Sequence, residues 1–151
     1  MIRKTVFFSL LFLLPFAMIS MNCSKEVSKT PKLVKPDTVP PSHAWITGVI
    51  TEIEPIANDS NSDGPCSKAP CIAKVKVESA EYGSAFSVFS RNKEYRMKFE
   101  FTLNETSKEL FPNMDESYPG LKVGDEFTAL VGNIDAMEGQ PMYKIYGYSI
   151  K

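Results

Sequence analysis

The chain reads as a mainly β protein built around one five-stranded domain. Three observations predict it. Five segments alternate apolar and polar residues with the two-residue period of a half-buried strand. The same segments are rich in Val, Ile, Thr, Tyr and Phe, which fit a pleated surface. The stretches between them carry Gly, Pro, Asn, Asp and Ser, and only one of them offers a helical signal.

The elements follow in order. Met1-Ile2-Arg3-Lys4 places two cations ahead of the apolar run Val6–Ile19, a signal-peptide pattern. That run is shorter than the roughly 20 residues a spanning helix needs, and Pro15 interrupts it. Ser20-Met21-Asn22-Cys23 then resembles the lipobox of bacterial lipoproteins, in the relaxed form similar to that of spirochaetes. Ser20 stands where that pattern has Leu, and Asn22 where it has Gly or Ala. The resemblance implies a signal peptide over 1–22, lipid on Cys23 (palmitate among its acyl chains), and anchoring to a membrane of the cell envelope, the outer membrane being the expected one. Several acyl chains give stable anchoring where a single one does not.

Residues 23–44 carry Pro31, Pro36, Pro40 and Pro41 among several lysines, without apolar periodicity. They read as a disordered, semi-rigid tether, with His43 as a polar residue at its end. The domain proper is expected over 45–151. Its strands are Trp45–Ile53, Cys71–Ser79, Tyr95–Leu103, Glu126–Val131 and Met142–Ile150. Arg91-Asn92-Lys93 suits the turn between the second and third. Tyr95, Met97, Phe99, Phe101 and Leu103 should point inward from the third strand. Thr106–Phe111, ended by Pro112, is the one expected helix. Phe86 and Phe89 fit either a core or a partner-facing patch.

Five strands with a short helix between the third and fourth resemble the OB-fold, a small Greek-key barrel. Gly48 inside the first strand and the Gly120–Phe127 entry to the fourth agree with it, because glycines allow the tight coiling of barrel strands. The resemblance implies a binding face flanked by the first-to-second and fourth-to-fifth strand loops, where a protein or small-molecule ligand would sit.

Those two loops are acidic. Asp59-Ser60-Asn61-Ser62-Asp63-Gly64 matches the first half of a calcium loop, D-x-[DN]-x-[DN]-G. The second half fails: position seven is Pro65, and position twelve, which requires a bidentate Glu, is Pro70. Alone the motif is a polar turn. With Asp135 and Glu138 of the second loop, Asp59, Asn61 and Asp63 form a candidate Ca2+ site; no other cofactor is expected.

An odd cysteine count of three suits this picture. With Cys23 carrying lipid, Cys66 and Cys71 remain as a pair that export allows to form a disulfide. The formal net charge of −1 gives no basic field for nucleic acid. No catalytic residue stands out: the sole histidine is His43, and no nucleophile–base spacing, phosphate loop or HExxH occurs. Met97, Met114, Met137 and Met142 are too scattered for a soft-metal site. The expectation is therefore a non-enzymatic, lipid-anchored binding or structural module. The alternatives are a calcium-stabilised adhesion-type domain and a small carboxylate-dependent hydrolase.

Overall fold

The computed structural model describes residues 32–56, 64–114, 117–134, 141 and 143–151. Five strands cover most of them: β1 (His43–Ile53), β2 (Ile72–Tyr82), β3 (Glu94–Phe99), β4 (Glu126–Asn133) and β5 (Tyr143–Ile150). They close into a barrel in the order β1-β2-β3-β5-β4. All neighbours are antiparallel except β3 and β5, which run parallel. This is the five-stranded Greek-key arrangement expected from the sequence.

Alternation sets which side chains fill the barrel. Ala73, Val75 and Val77 of β2 and Met97 and Phe99 of β3 are buried, while the residues between them remain half-exposed. Following neighbours around the barrel from Ile53 leads through Ala73, Met97 and Tyr143 to Asn133. The next residue of β4, Gly132, pairs with His43 at the opposite end of β1. One circuit thus slips by nearly the whole length of β1, the stagger that strand tilt in a small barrel demands. Gly48 lies where β1 coils most tightly: a Cβ there would stand 2.6 Å from Cγ1 of Val75. An extra residue in β2 beside it, Glu78, adds a bulge that sharpens the bend.

Aromatic side chains close both ends. At the upper end, toward which β1, β3 and β5 run, Phe99, Phe127 and Tyr148 pack with ring centroids 5.9–6.3 Å apart. At the lower end Tyr95 and Tyr143 meet Phe89, each 4.9 Å from its ring, and Phe86 lies 5.4 Å from Phe89. Phe86 and Phe89, open to two readings in the sequence, are therefore core residues.

Three expectations require correction. Thr106–Phe111 forms no helix; among the described residues the only helical element is the 3-10 turn Pro65–Ser67. Thr106 is held elsewhere: its N–H donates to the carbonyl of Tyr118 at 3.0 Å, and its Oγ1 accepts from the Tyr118 N–H at 2.8 Å. What remains is one turn closed by Phe111 N–H on the Ser107 carbonyl, too short to repay helix nucleation. The third strand ends at Phe99, because Leu103 N–H turns away to the Pro70 carbonyl at 2.7 Å. Leu103 is still buried, whereas Tyr95 and Phe101 are half-buried. Finally, His43 opens β1, so the barrel begins before Trp45. Part of the expected tether, from Lys32 on, is held against the barrel: Leu33 N–H donates to Ser149 Oγ at 2.8 Å, and Lys35 pairs with Glu81.

Candidate functional site: the outer face of β2, β3 and β5

The register of the sheet determines what the outside of the barrel presents. Outward positions on β2 are Ile72, Lys74 and Lys76, on β3 Arg96 and Lys98, and on β5 Lys144 and Tyr146. Lys74 stands directly opposite Arg96, and Lys98 lies between Ile72 on one side and Lys144 on the other. Five cations thus gather on adjoining strands of a chain whose formal net charge is −1.

Three of these cations are held by glutamates at the edges of the face. Lys74 Nζ lies 2.6 Å from Oε2 of Glu52 on β1. Arg96 grips Glu54 with two bonds, Nε to Oε1 at 2.5 Å and Nη2 to Oε2 at 2.7 Å. Lys144 pairs with Glu100. The hydrogen bond from Arg96 keeps the Glu54 carboxyl below the usual carboxylate range, and Glu54 in turn raises Arg96. Such paired charges are fixed in place but partly cancelled. Lys76 stands opposite Glu94 without closing an ion pair, and Lys98 forms none with any described residue. Beside them Lys144 Nζ sits 5.2 Å from the ring centre of Tyr146, which packs in turn against His43 at 5.6 Å. The face therefore offers free ammonium groups next to an exposed aromatic ring, a surface suited to an anionic ligand with flat or apolar parts.

The stems of the two acidic loops frame this face. Ile53 and Ala73 carry the first loop, Asn133 and Tyr143 the second. Met97 of β3 lies between Ala73 and Tyr143. Asp59, Asn61, Asp63, Asp135 and Glu138 themselves lie outside the described residues, as does Cys23. Among the described residues no group of three or more His, Cys, Asp or Glu side chains comes together. Cys66 and Cys71 are joined as a disulfide with Cα atoms 5.4 Å apart. The bridge ties the first loop to the upper end of the barrel, where the Cys71 carbonyl accepts the Phe99 N–H at 2.8 Å.

A second concavity of about 420 Å³ opens at the lower end, between β2 and the chain returning to β3. Val77, Ala80, Tyr82 and Phe89 form its floor, with Glu78, Ser79 and Arg91 at the lip. Burial pushes the Tyr82 phenol up, and its hydroxyl is occupied by the Phe89 carbonyl.

Sequence reasoning placed the loops at the edges of the site but missed the cations between them. The signal was present as Lys74-Val75-Lys76 and Arg96-Met97-Lys98, two outward pairs on successive strands. Only strand pairing shows that they share one face with Lys144. Comparison with protein-family models, with curated proteins and with solved structures finds no match.

Proposed function

We propose that the chain is a membrane-anchored envelope lipoprotein whose barrel is a binding module, taking an anionic ligand on the outer face of β2, β3 and β5. One observation carries this reading: Lys98 stands between Ile72 and Lys144 without an ion pair among the described residues. Every other cation on that wall has a glutamate as its ion-pair partner or, for Lys76, as its cross-strand neighbour Glu94. A cation left without a counter-charge on an ordered sheet face is free to meet a carboxylate, sulfate or phosphate from outside. The anchor is the reading of Arg3-Lys4, the apolar run and Cys23, and it assigns the ligand to the envelope rather than to cytoplasmic nucleic acid. Tyr146 adds a stacking surface of the kind used for sugar rings and other flat groups.

The test is binding of heparin, an anionic polysaccharide probe, to the full chain and to a Lys76→Glu/Lys98→Glu variant. The expected loss is roughly tenfold or more in affinity, about 1.4 kcal/mol, with a fall in salt sensitivity. Equal binding by both proteins, or equal binding of uncharged dextran, overturns the reading. Repeating the titration with calcium and with chelator separates it from the calcium-stabilised alternative: there, chelation abolishes binding and lowers the unfolding midpoint.

A further inference from the structure

The segment held against the barrel also decides how the domain stands on its membrane, an inference that rests on the lipid anchor at Cys23. Leu33 is fixed to Ser149 near the end of β5, Lys35 to Glu81, and Pro41 to Ala85, whose N–H donates to the Pro41 carbonyl at 2.9 Å. Residues 24–31 separate the anchor cysteine from Lys32, a stretch that can span at most about 30 Å. That is less than the width of a domain this size, roughly 34 Å for a sphere with a radius of gyration of ~13 Å. The place where the chain leaves the barrel is therefore kept within about 30 Å of the anchor.

The surface around that point is apolar and cationic. Val34 is 75% exposed and Val123 61%, the two highest values among the exposed large hydrophobic residues described. Ile150, 42% exposed, lies between them: it follows Ser149, which holds Leu33, and pairs with Phe127 at the start of β4. Val123 occupies the turn leading into β4, where Lys151 N–H returns to the Glu126 carbonyl at 3.0 Å. Lys32 and Lys122 stand beside these residues and are exposed. Exposed aliphatic side chains ringed by lysines match a headgroup boundary: the aliphatic groups enter it and the ammonium groups meet anionic lipid.

We infer that the rim formed by Val34, Val123 and Ile150, with Lys32 and Lys122, lies on the bilayer that carries the anchor. The rim lies at the β4 edge and the last residues of β5. Lys76 and Lys98 stand on β2 and β3, which β4 does not touch; β5 joins the two regions, with Lys144 and Tyr146 toward its start and Ile150 at its end. In that orientation Lys76 and Lys98 stand clear of the lipid.

The lipidated full chain on vesicles of phosphatidylcholine with an anionic fraction of phosphatidylglycerol, treated with a membrane-impermeant amine-acylating reagent, tests this. The Cys23→Ala protein in solution is the reference, with modification read at each lysine by mass spectrometry. Lys32 and Lys122 should lose several-fold in modification on vesicles while Lys98 keeps its solution level. Protection of Lys98 without Lys122, or of neither, overturns the rim and leaves the anchor standing. Vesicle retention of the Cys23→Ala protein instead overturns the anchor beneath it. Val34→Asp with Val123→Asp, both at exposed positions, should restore Lys122 modification without releasing the protein; unchanged protection overturns the apolar contact.

Discussion

The two ends of the barrel are closed by the same kind of material and finish differently. Each is covered by an irregular segment that turns aromatic side chains into the core. At the upper end residues 101–114 and 117–121 are tied by main-chain and hydroxyl bonds. Leu121 N–H donates to the Leu103 carbonyl at 2.8 Å, Thr106 and Tyr118 bond reciprocally, and Gly120 N–H meets the Tyr148 hydroxyl at 3.1 Å. Tyr148 is 1% exposed. At the lower end residues 83–93 are held by main-chain bonds, among them Asn92 N–H to the Val77 carbonyl at 2.6 Å and Gly83 N–H to the His43 carbonyl at 2.9 Å. Two phenols at the rim hold them as well: Tyr82 to the Phe89 carbonyl, and Tyr95 to Ser90 N–H and the Val88 carbonyl. That cover leaves the 420 Å³ concavity beside Phe89. Both covers use main-chain bonds; the upper one also encloses a fully buried phenol, Tyr148, whereas the phenols of the lower one, Tyr82 and Tyr95, stand half-exposed at its rim beside the concavity.

The largest expected effect breaks the sealed end. Gly120 has φ +82°, and a Cβ there would lie 2.7 Å from Glu105 N and 2.8 Å from the Leu103 carbonyl oxygen. Gly120→Ala should cost about 2–3 kcal/mol, read as a lower urea midpoint. The matching change below, Gly83→Ala, meets Pro40 of the surface segment rather than the lid itself. It should release residues 32–42 to protease with a smaller global loss of about 1 kcal/mol. Equal midpoints for the two variants would remove the distinction between the ends.

The next effect tests how far the first loop supports the upper lid. The Cys66–Cys71 bridge closes a short loop whose Pro70 carbonyl accepts the Leu103 N–H. Replacing both cysteines with alanine should cost about 2 kcal/mol by loop entropy, with faster amide exchange at Leu103. Exchange faster only in the lower cover would contradict that link.

The smallest pair sharpens the comparison between the phenols. Tyr148→Phe leaves the buried Gly120 N–H without its acceptor and should cost about 1–2 kcal/mol, whereas Tyr82→Phe at the open end should cost about half a kcal/mol. Burial pushes the Tyr148 phenol well above its ordinary 10.0. The folded state therefore favours the neutral phenol. Its contribution is complete below pH 10 and is lost as pH climbs from there toward the higher folded value. Wild type should lose stability above about pH 10 more steeply than Tyr148→Phe in alkaline urea titrations; parallel profiles would show that another group governs the decline.

Much of this architecture was legible in the sequence because strand alternation is a local property. Each β-strand follows from a period-two pattern in its own residues, and the Arg91–Lys93 turn from its Asn, which adopts φ 64° at Asn92. The helix at Thr106 failed because a local start signal competed with a distant partner, Tyr118, for the same hydroxyl and N–H. The tether failed in part for a related reason. Proline and lysine read as solvated linker, but Leu33 and Lys35 find Ser149 and Glu81, more than forty residues away in each case.

The sequence by itself determined most of the strand segments, the cysteine pair and the acidic character of the two loops. Each depends on residues within one turn or one strand of each other. Only the tertiary structure decided that Lys74, Lys76, Arg96, Lys98 and Lys144 share a face, and that Leu33 of the N-terminal segment is held at Ser149, next to the exposed Ile150. The shared face depends on the barrel's closure and on the parallel pairing of β3 with β5. Closure is a single cooperative choice of register for the whole sheet, and no segment carries it alone.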